Sequence, residues 1–489
     1  MPKKQGLIKI NFQIFDTKHL KSLILLKTYI RTMAKYIVLA VVILILNFIH
    51  SFFLPSGGVY ADSLSYFGIA ADLPNPETNL FPLGYPAALR LFFEIFGDYF
   101  WASKVLNTTM MIVILLFSYI KRFFFRETVL LMTGKTILFV FSIAISESLF
   151  IFLFYFLLYH LYKILSDETK SYRNIIFASA LMLLMFSARY SGIYVYISIA
   201  ALFALMLLRK AEKSQLKSIF IFLVLSGLGI AGYLLFNITQ FGSFTGENLR
   251  GKPAEILPIY IVRDLLGTAN SVNPYIGLKP ASNSLTSLAV QFFILLIDIG
   301  VLVYFIQYFR KTKETKLQVF HVLLWTIASV YAVSLLVSGW MQQIEEMNTR
   351  MMAAANVCLF FSFLILYFKN LKSDKTLFKI ACFFLIFFTV YSLKSPVDYF
   401  ENRNQVEPQI SKFNHKKYLY NNERGGSESL TTYQIPLINK SFQYKHTNNQ
   451  KGDVKQSIAG TINPKIKWLK YDTIKDKSQV LYTSEIILK

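Results

Sequence analysis

Apolar runs of about 20 residues, the length a helix needs to cross a hydrocarbon core of about 30 Å, recur along this chain from residue 36 to residue 395. The segments 36–54, 101–120, 128–146, 147–165, 175–190, 191–208, 218–236, 286–309, 317–338, 351–368 and 379–395 are the expected spans, about eleven in number. Composition supports the same reading. Of the 489 residues 54% are hydrophobic, with 46 Phe and 29 Tyr, and a soluble domain has no interior large enough to hide so much apolar surface. The expected fold class is an all-α polytopic membrane protein. Lys135, inside the third span, has to snorkel or face protein.

The net charge of +23 does not point to nucleic acid, because the basic residues sit mostly in short loops between apolar runs, where they act as topology determinants. Segments 121–127, 163–174, 209–217, 310–316 and 369–379 carry 18 Lys and Arg, and the intervening loops carry fewer than half as many over more than twice the length. This bias places the amino terminus in the cytoplasm and the chain after residue 395 outside. The tail is Lys-rich too, but the rule applies to short loops beside span ends, so a segment of this length does not overturn it. The expected location is the cell (inner) membrane. Cys358 and Cys382 both fall within apolar runs, which excludes a cysteine metal cluster.

Three regions follow. Residues 1–35 alternate Lys18, Lys21, Lys27, Arg31 and Lys35 with Leu20, Leu23, Ile24, Leu26 and Ile30, which predicts an uncleaved amphipathic helix on the cytoplasmic membrane face. Residues 36–395 form the membrane module, with outer loops at 55–100 and 237–285. Residues 396–489 turn to Lys, Asn, Ser and Gln with short alternating runs such as Tyr418-Leu419-Tyr420 and Val480-Leu481-Tyr482. They predict a small mixed α/β domain on the outer face. No repeat of 20–50 residues is evident.

In loop 55–100, Asp62, Tyr66 and Ala70 recur at four-residue spacing, on one face of a short helix. Pro74 and Pro76 break the chain, and Phe81-Pro82-Leu83-Gly84-Tyr85-Pro86 forms a stiff turn. A second helix follows, with Ala88, Leu91, Phe92 and Ile95 as its expected apolar side. Loop 237–285 is rich in Gly, Asn, Pro and Ser, and its apolar stretch 256–262 is expected to pack on the bundle. With the orientation above, Asp62, Glu147, Arg189, loop 237–285 and the Glu345-Glu346…Arg350 segment all reach the outer side at or just inside span ends. Ionisable groups there are costly unless they line a cavity or pair, so the sequence predicts one shared wet site.

Several of these stretches carry a family resemblance. The first outer loop with Asp62…Tyr66…Ala70, the 81–86 turn closing at Phe96-Gly97, Ser146-Glu147-Ser148-Leu149 opening a span, Ala188-Arg189-Tyr190-Ser191-Gly192, and Asn348-Thr349-Arg350 occur in order and on one side. Over about residues 36–368 the chain resembles the GT-C superfamily of integral-membrane glycosyltransferases, in its protein mannosyltransferase and aminoarabinose transferase-like branch. It departs from the pattern in carrying a single Asp62 in the first loop and Met351-Met352-Ala353 after Arg350. The resemblance implies a GT-C-like bundle. It also implies transfer of a sugar from a polyprenyl-phosphate donor to a glycan, lipid or protein hydroxyl on the non-cytoplasmic face.

The residues suit that chemistry in their own right. A carboxylate in a partly desolvated cleft can take the acceptor proton, and Asp62 is the candidate; capping of its own helix is the structural alternative. The departing phosphate calls for cations, for which Arg189 and Arg350 are best placed; the alternative is structural pairing with Glu147 or Glu345. Glu147 is left with three roles: orienting the acceptor, holding a divalent metal with Asp62, or neutralising an arginine. Tyr66, Glu345 and Glu346 are further candidates for acceptor, metal or charge contacts. The outer-loop charges Arg250, Lys252, Arg263 and Asp264 read as solvated, with contact to donor or acceptor as the alternative, and His160 and His321 as interior histidines. The Gly242-Ser243-Phe244-Thr245-Gly246 turn lacks a strand–helix frame, so no nucleotide site is expected. A polysaccharide ligase or polymerase, and a transporter or flippase, are the rival functions. Transporters place charges near the bilayer midplane, whereas here they cluster at span ends.

Overall fold

The computed structural model describes residues 33–76, 78–166, 171–247, 258–269, 273, 275, 284–311, 316–341, 347–370 and 373–392, and in the tail 417–422, 426–431, 443–445, 481–482 and 485–487. The chain is an integral membrane protein built from α-helices. In order these are α1 (Met33–Phe53), α2 (Ala61–Asp72), α3 (Gly84–Phe96), α4 (Tyr99–Ile120), α5 (Phe125–Leu131), α6 (Lys135–Ser142), α7 (Ser146–Ser166), α8 (Ser171–Ala188) and α9 (Gly192–Leu208). They continue with α10 (Lys213–Phe241), α11 (Pro258–Ala269), α12 (Leu285–Arg310), α13 (Lys316–Met341), α14 (Ala353–Asn370) and α15 (Lys375–Ser392). The described tail residues are strands. Lys417–Asn422 pairs antiparallel with Gly426–Thr431 and parallel with Leu481–Tyr482, and Gln443–Lys445 pairs antiparallel with Glu485–Ile487. The segment before residue 33 and the rest of the tail lie outside the described residues.

The expected spans reappear as seven long apolar helices, the shorter apolar α8 and α9, α15, and one broken crossing. The share of each long span enclosed by protein orders them. It is 67% for α14 and 61% for α7 but only 22% for α10 and α12, so α7 and α14 are central while α10 and α12 turn most of their apolar surface to lipid. The rim helices keep narrow inward stripes, on α12 Gln291, Ile294, Asp298 and Phe305.

One expected span is corrected. Segment 128–146 is not a continuous helix but α5 and α6, broken at residues 132–134. The chain tightens there through Thr133 N–H to Leu130 O (3.1 Å) and Gly134 N–H to Leu131 O (3.1 Å). A broken backbone is tolerated at membrane depth where protein surrounds it, and nearly every residue of both short helices is buried. The pair still crosses the bundle. At one end Phe124 meets Tyr162, ring centroids 5.5 Å apart, and at the other Asn47 donates to Ser142 Oγ at 2.8 Å. Lys135, at the start of α6, is half-buried against protein.

The end of α6 leaves backbone carbonyls without helical partners, and side chains of α4 satisfy them. Asn107 Nδ2 donates to Phe141 O (3.0 Å) and Ile143 O (2.7 Å), and Lys104 Nζ to Ser142 O (2.7 Å) and Ser51 O (3.2 Å). Asn107→Leu keeps the volume and orphans one buried carbonyl, Phe141 O, while Ile143 O keeps the Ile145 N–H at 3.1 Å. An unsatisfied buried acceptor costs about 1–3 kcal/mol, and because Asn107 Oδ1 itself lacks a partner the expected loss is at the low end, about 1 kcal/mol, measured as a lowered unfolding midpoint in detergent.

The helix 84–96 is present, but its buried face differs from the expected one. Tyr85, Pro86 and Leu89 point inward, while Leu91 and Ile95 are 65% and 70% exposed. Tyr85 and Leu89 lie one helical turn apart and follow Pro82-Leu83 onto the bundle. Of the expected stripe, Ala88 and Phe92 are half-buried against the core, whereas Leu91 and Ile95 lie on the side where lipid, not protein, takes apolar side chains.

Candidate functional site

Two helix starts bearing acids are fastened together at one end of the bundle. The Tyr60 N–H donates to Ser63 Oγ at 3.0 Å, which begins α2 and puts Asp62 in its first turn. Glu147 is in the first turn of α7. The loops before these helices share a bond from Ala144 N–H to Gly58 O at 2.9 Å. Gly58 has φ +71°, and a Cβ there would lie 2.7 Å from Ser142 O, so only glycine permits this approach. Helix N-termini favour acids, and both carboxylates occupy that position.

Arg189 and Arg350 fill the space between the acids. Arg350 Nη1 lies 2.8 Å from Asp62 Oδ2, and Arg350 Nε lies 3.9 Å from Glu147 Oε1. Arg189 Nη1 lies 2.8 Å from the same Glu147 oxygen, a charge contact rather than an aligned hydrogen bond. Four residues from four separate segments therefore form one chain: Asp62, Arg350, Glu147, Arg189. The Glu147 side chain is only 4% exposed and that of Asp62 is 32%. Glu147 is thus a buried carboxylate facing both arginines. Asp62 is the open acid. Its side chain bonds Arg350 and does not cap its own helix, so the capping alternative falls away.

Hydroxyls set Arg189 in place. Ser191 Oγ accepts from Arg189 Nε (3.1 Å) and from the Tyr331 hydroxyl (3.2 Å), while Ser146 Oγ takes Arg189 Nη1 at 3.3 Å and Tyr66 Oη at 2.7 Å. Burial, the largest influence, works against the Arg189 charge, but Glu147, Tyr66 and Tyr331 together outweigh it and its pKa is raised. Tyr66 is sealed beneath the site, its ring edge-on to Phe81 (4.8 Å) and Tyr85 (5.0 Å). Burial, then Glu147, pushes its phenol up, so it stays a neutral hydroxyl that holds Ser146.

The 78–86 turn is welded beside Arg189. Asn79 and Ser243 bond reciprocally, Asn79 Nδ2 to Ser243 O (2.8 Å) and Ser243 Oγ to Asn79 Oδ1 (2.9 Å). Tyr190 Oη donates to Asn79 O (2.9 Å), and Asn237 Nδ2 reaches Tyr190 Oη (3.0 Å) and Phe244 O (2.6 Å). Gly84 lies against Ser187, where a Cβ would meet Ser187 O at 2.7 Å. Of the outer-loop charges, Asp264 is not simply solvated, for its Oδ1 accepts from Met347 N–H at 2.9 Å. Glu345, Glu346, Arg250 and Lys252 lie outside the described residues.

Among the described residues no three of His, Cys, Asp and Glu come together. Arg350 stands between the two site carboxylates. Sequence reasoning missed Ser191, Tyr331 and the Asn79–Ser243–Asn237 network, because neutral hydroxyls and amides within apolar or loop sequence carry no distinguishing signal.

No family model and no curated protein matches the sequence. Among solved structures the chain is similar to the crystal structure of ArnT from Cupriavidus metallidurans bound to undecaprenyl phosphate, with 12% identity and a TM-score of 0.44 over 79% of this chain and 66% of that one. The chain thus spans just under two thirds of that protein's length.

Proposed function

We propose that this chain is a membrane glycosyltransferase that moves a sugar from a polyprenyl-phosphate donor to an acceptor hydroxyl on a glycan, lipid or protein. The observation that carries the reading is the Asp62–Arg350–Glu147–Arg189 chain, one open acid beside two arginines that share a buried counter-charge. Asp62 takes the proton of the acceptor hydroxyl. The acceptor oxygen then bonds to the anomeric carbon from the side opposite the phosphate, the sugar–phosphate bond breaks, and configuration inverts. The leaving polyprenyl phosphate gains negative charge, which Arg189 and Arg350 meet with donors already aimed and held. A lipid-linked donor also accounts for a site at the end of a helical bundle, where the isoprenoid stays in the bilayer while its headgroup reaches the arginines. On the positive-inside bias this end is extracytoplasmic, with the amino terminus in the cytoplasm.

The test compares polyprenyl-linked sugars extracted from cells with and without the intact gene. Accumulation of one polyprenyl-phosphate sugar in its absence is the expected result and names the donor. An unchanged profile of lipid-linked sugars and surface glycans would overturn the proposal.

A further inference from the structure

Arg350 does not lie on a helix. It belongs to the turn that enters α14, so its place depends on what holds that turn. Inside the turn Asn348 Oδ1 accepts from Met351 N–H at 3.1 Å, and the Ala353 N–H bonds Arg350 O at 3.1 Å. These bonds fix the shape of the turn but not its position over Asp62. One tether on its position comes from α11. Asp264 Oδ1 accepts from the Met347 N–H at 2.9 Å, across 83 residues of sequence. One turn further along the same helix, Gly267 lies so close that a Cβ would come within 3.1 Å of Met347 O. Helix α11 thus grips both polar edges of Met347, a residue only 3% exposed, three positions before Arg350.

We propose that Asp264 is a positioning residue that holds Arg350 over Asp62 and Glu147 through the backbone of Met347. What Arg350 does there rests on the function proposed above; where it is held does not. The role requires an acceptor oxygen, not a negative charge. Asn at position 264 fulfils it and Ala does not. A group acting directly on substrate through its charge would fail in both variants.

The first arm uses no substrate. In the full chain with Cys358→Ala and Cys382→Ala, the pair Asp62→Cys and Arg350→Cys is bridged by a short bifunctional thiol reagent, and the cross-linked fraction is measured. Adding Asp264→Ala lowers that fraction several-fold and adding Asp264→Asn leaves it unchanged. Gly267→Ala, which favours the helix itself but wedges it from Met347, gives an intermediate fall and keeps the test open if Asp264→Ala does not fold. Equal cross-linking in all of these overturns the inference, whatever the protein catalyses.

The second arm measures release of polyprenyl phosphate. Asp264→Ala lowers kcat/KM by about ten- to a hundredfold, the size of effect that a misplacement near 1 Å produces, and Asp264→Asn restores it. On an Arg350→Ala background Asp264→Ala has no further effect. An additive loss there, or an Asp264→Asn variant as impaired as Asp264→Ala, overturns the positioning role. Loss of cross-linking in a protein that transfers no sugar upholds the inference and removes the proposed function instead.

Discussion

Asp62→Asn lowers sugar transfer by about 10²- to 10⁴-fold, the range a positioned general base supplies, and leaves the amount of protein in the membrane unchanged. The substitution is nearly isosteric and keeps an oxygen able to accept from Arg350 Nη1, which lies 2.8 Å from Asp62 Oδ2. It removes proton affinity and little else. Asp62 is the most open of the four charged residues, so a neutral amide there leaves no charge sealed in the protein, and the loss falls on turnover rather than on folding. The measurement is release of polyprenyl phosphate per membrane-extracted protein. Turnover at the wild-type rate would remove Asp62 from the mechanism, and loss of the protein itself would mean that its bond to Arg350 is structural.

Much of this architecture could be read from the residues, for identifiable reasons. The hydrocarbon core demands apolar length, so helices such as α7 and α12 announce themselves by composition. Segment 128–146 has that composition too, yet it folds as α5 and α6 with the break at Thr133-Gly134. Hydropathy reports that a residue is apolar and not whether lipid or protein covers it, and protein cover is what allows the break. The same ambiguity misassigned α3, where Leu91 and Ile95 face outward and Tyr85 and Leu89 inward. Lys104 lay unremarked within the 101–120 span because its partners are backbone carbonyls, which leave no trace in sequence.

The charged site was legible for the opposite reason. An acid or arginine at the end of an apolar run is costly unless compensated, so Asp62, Glu147, Arg189 and Arg350 each stood out singly. Pairing of an arginine with Glu147 was among the alternatives, but the contact between Arg350 and Asp62 was not. Arg350 meets Asp62 across 288 residues of sequence, whereas sequence proximity favours Glu345. The backbone bond between Gly58 and Ala144 and the bond from the Met347 N–H to the Asp264 carboxylate tie together segments that carry these groups. Individual charges are therefore visible in a sequence of this kind, while the geometry that turns them into a site is written in glycines and peptide groups.

Glu147→Ala is expected to cost far more stability than Arg350→Ala, and the contrast separates framework from chemistry. Glu147 is 4% exposed and faces guanidinium nitrogens at 2.8 Å and 3.9 Å. Its removal leaves two cations facing each other in a confined space, and breaking a buried pair in this way costs about 3–5 kcal/mol. Removing Arg350 leaves Asp62, which water already reaches, and Glu147 keeps Arg189 as its partner. That loss is about 1 kcal/mol after allowing for solvent screening. In detergent the unfolding midpoint of Glu147→Ala lies well below that of Arg350→Ala, which stays near the wild type. On the function proposed above, binding of a polyprenyl phosphate follows the reverse logic. Folded Arg350→Ala binds about ten- to a hundredfold more weakly, the equivalent of one charge-assisted hydrogen bond of about 1.5–3 kcal/mol. If Arg350→Ala unfolds as readily as Glu147→Ala, Arg350 is a structural tie and not a phosphate ligand. If both variants fold and bind like the wild type, the four-membered chain of charges supports neither the bundle nor the donor.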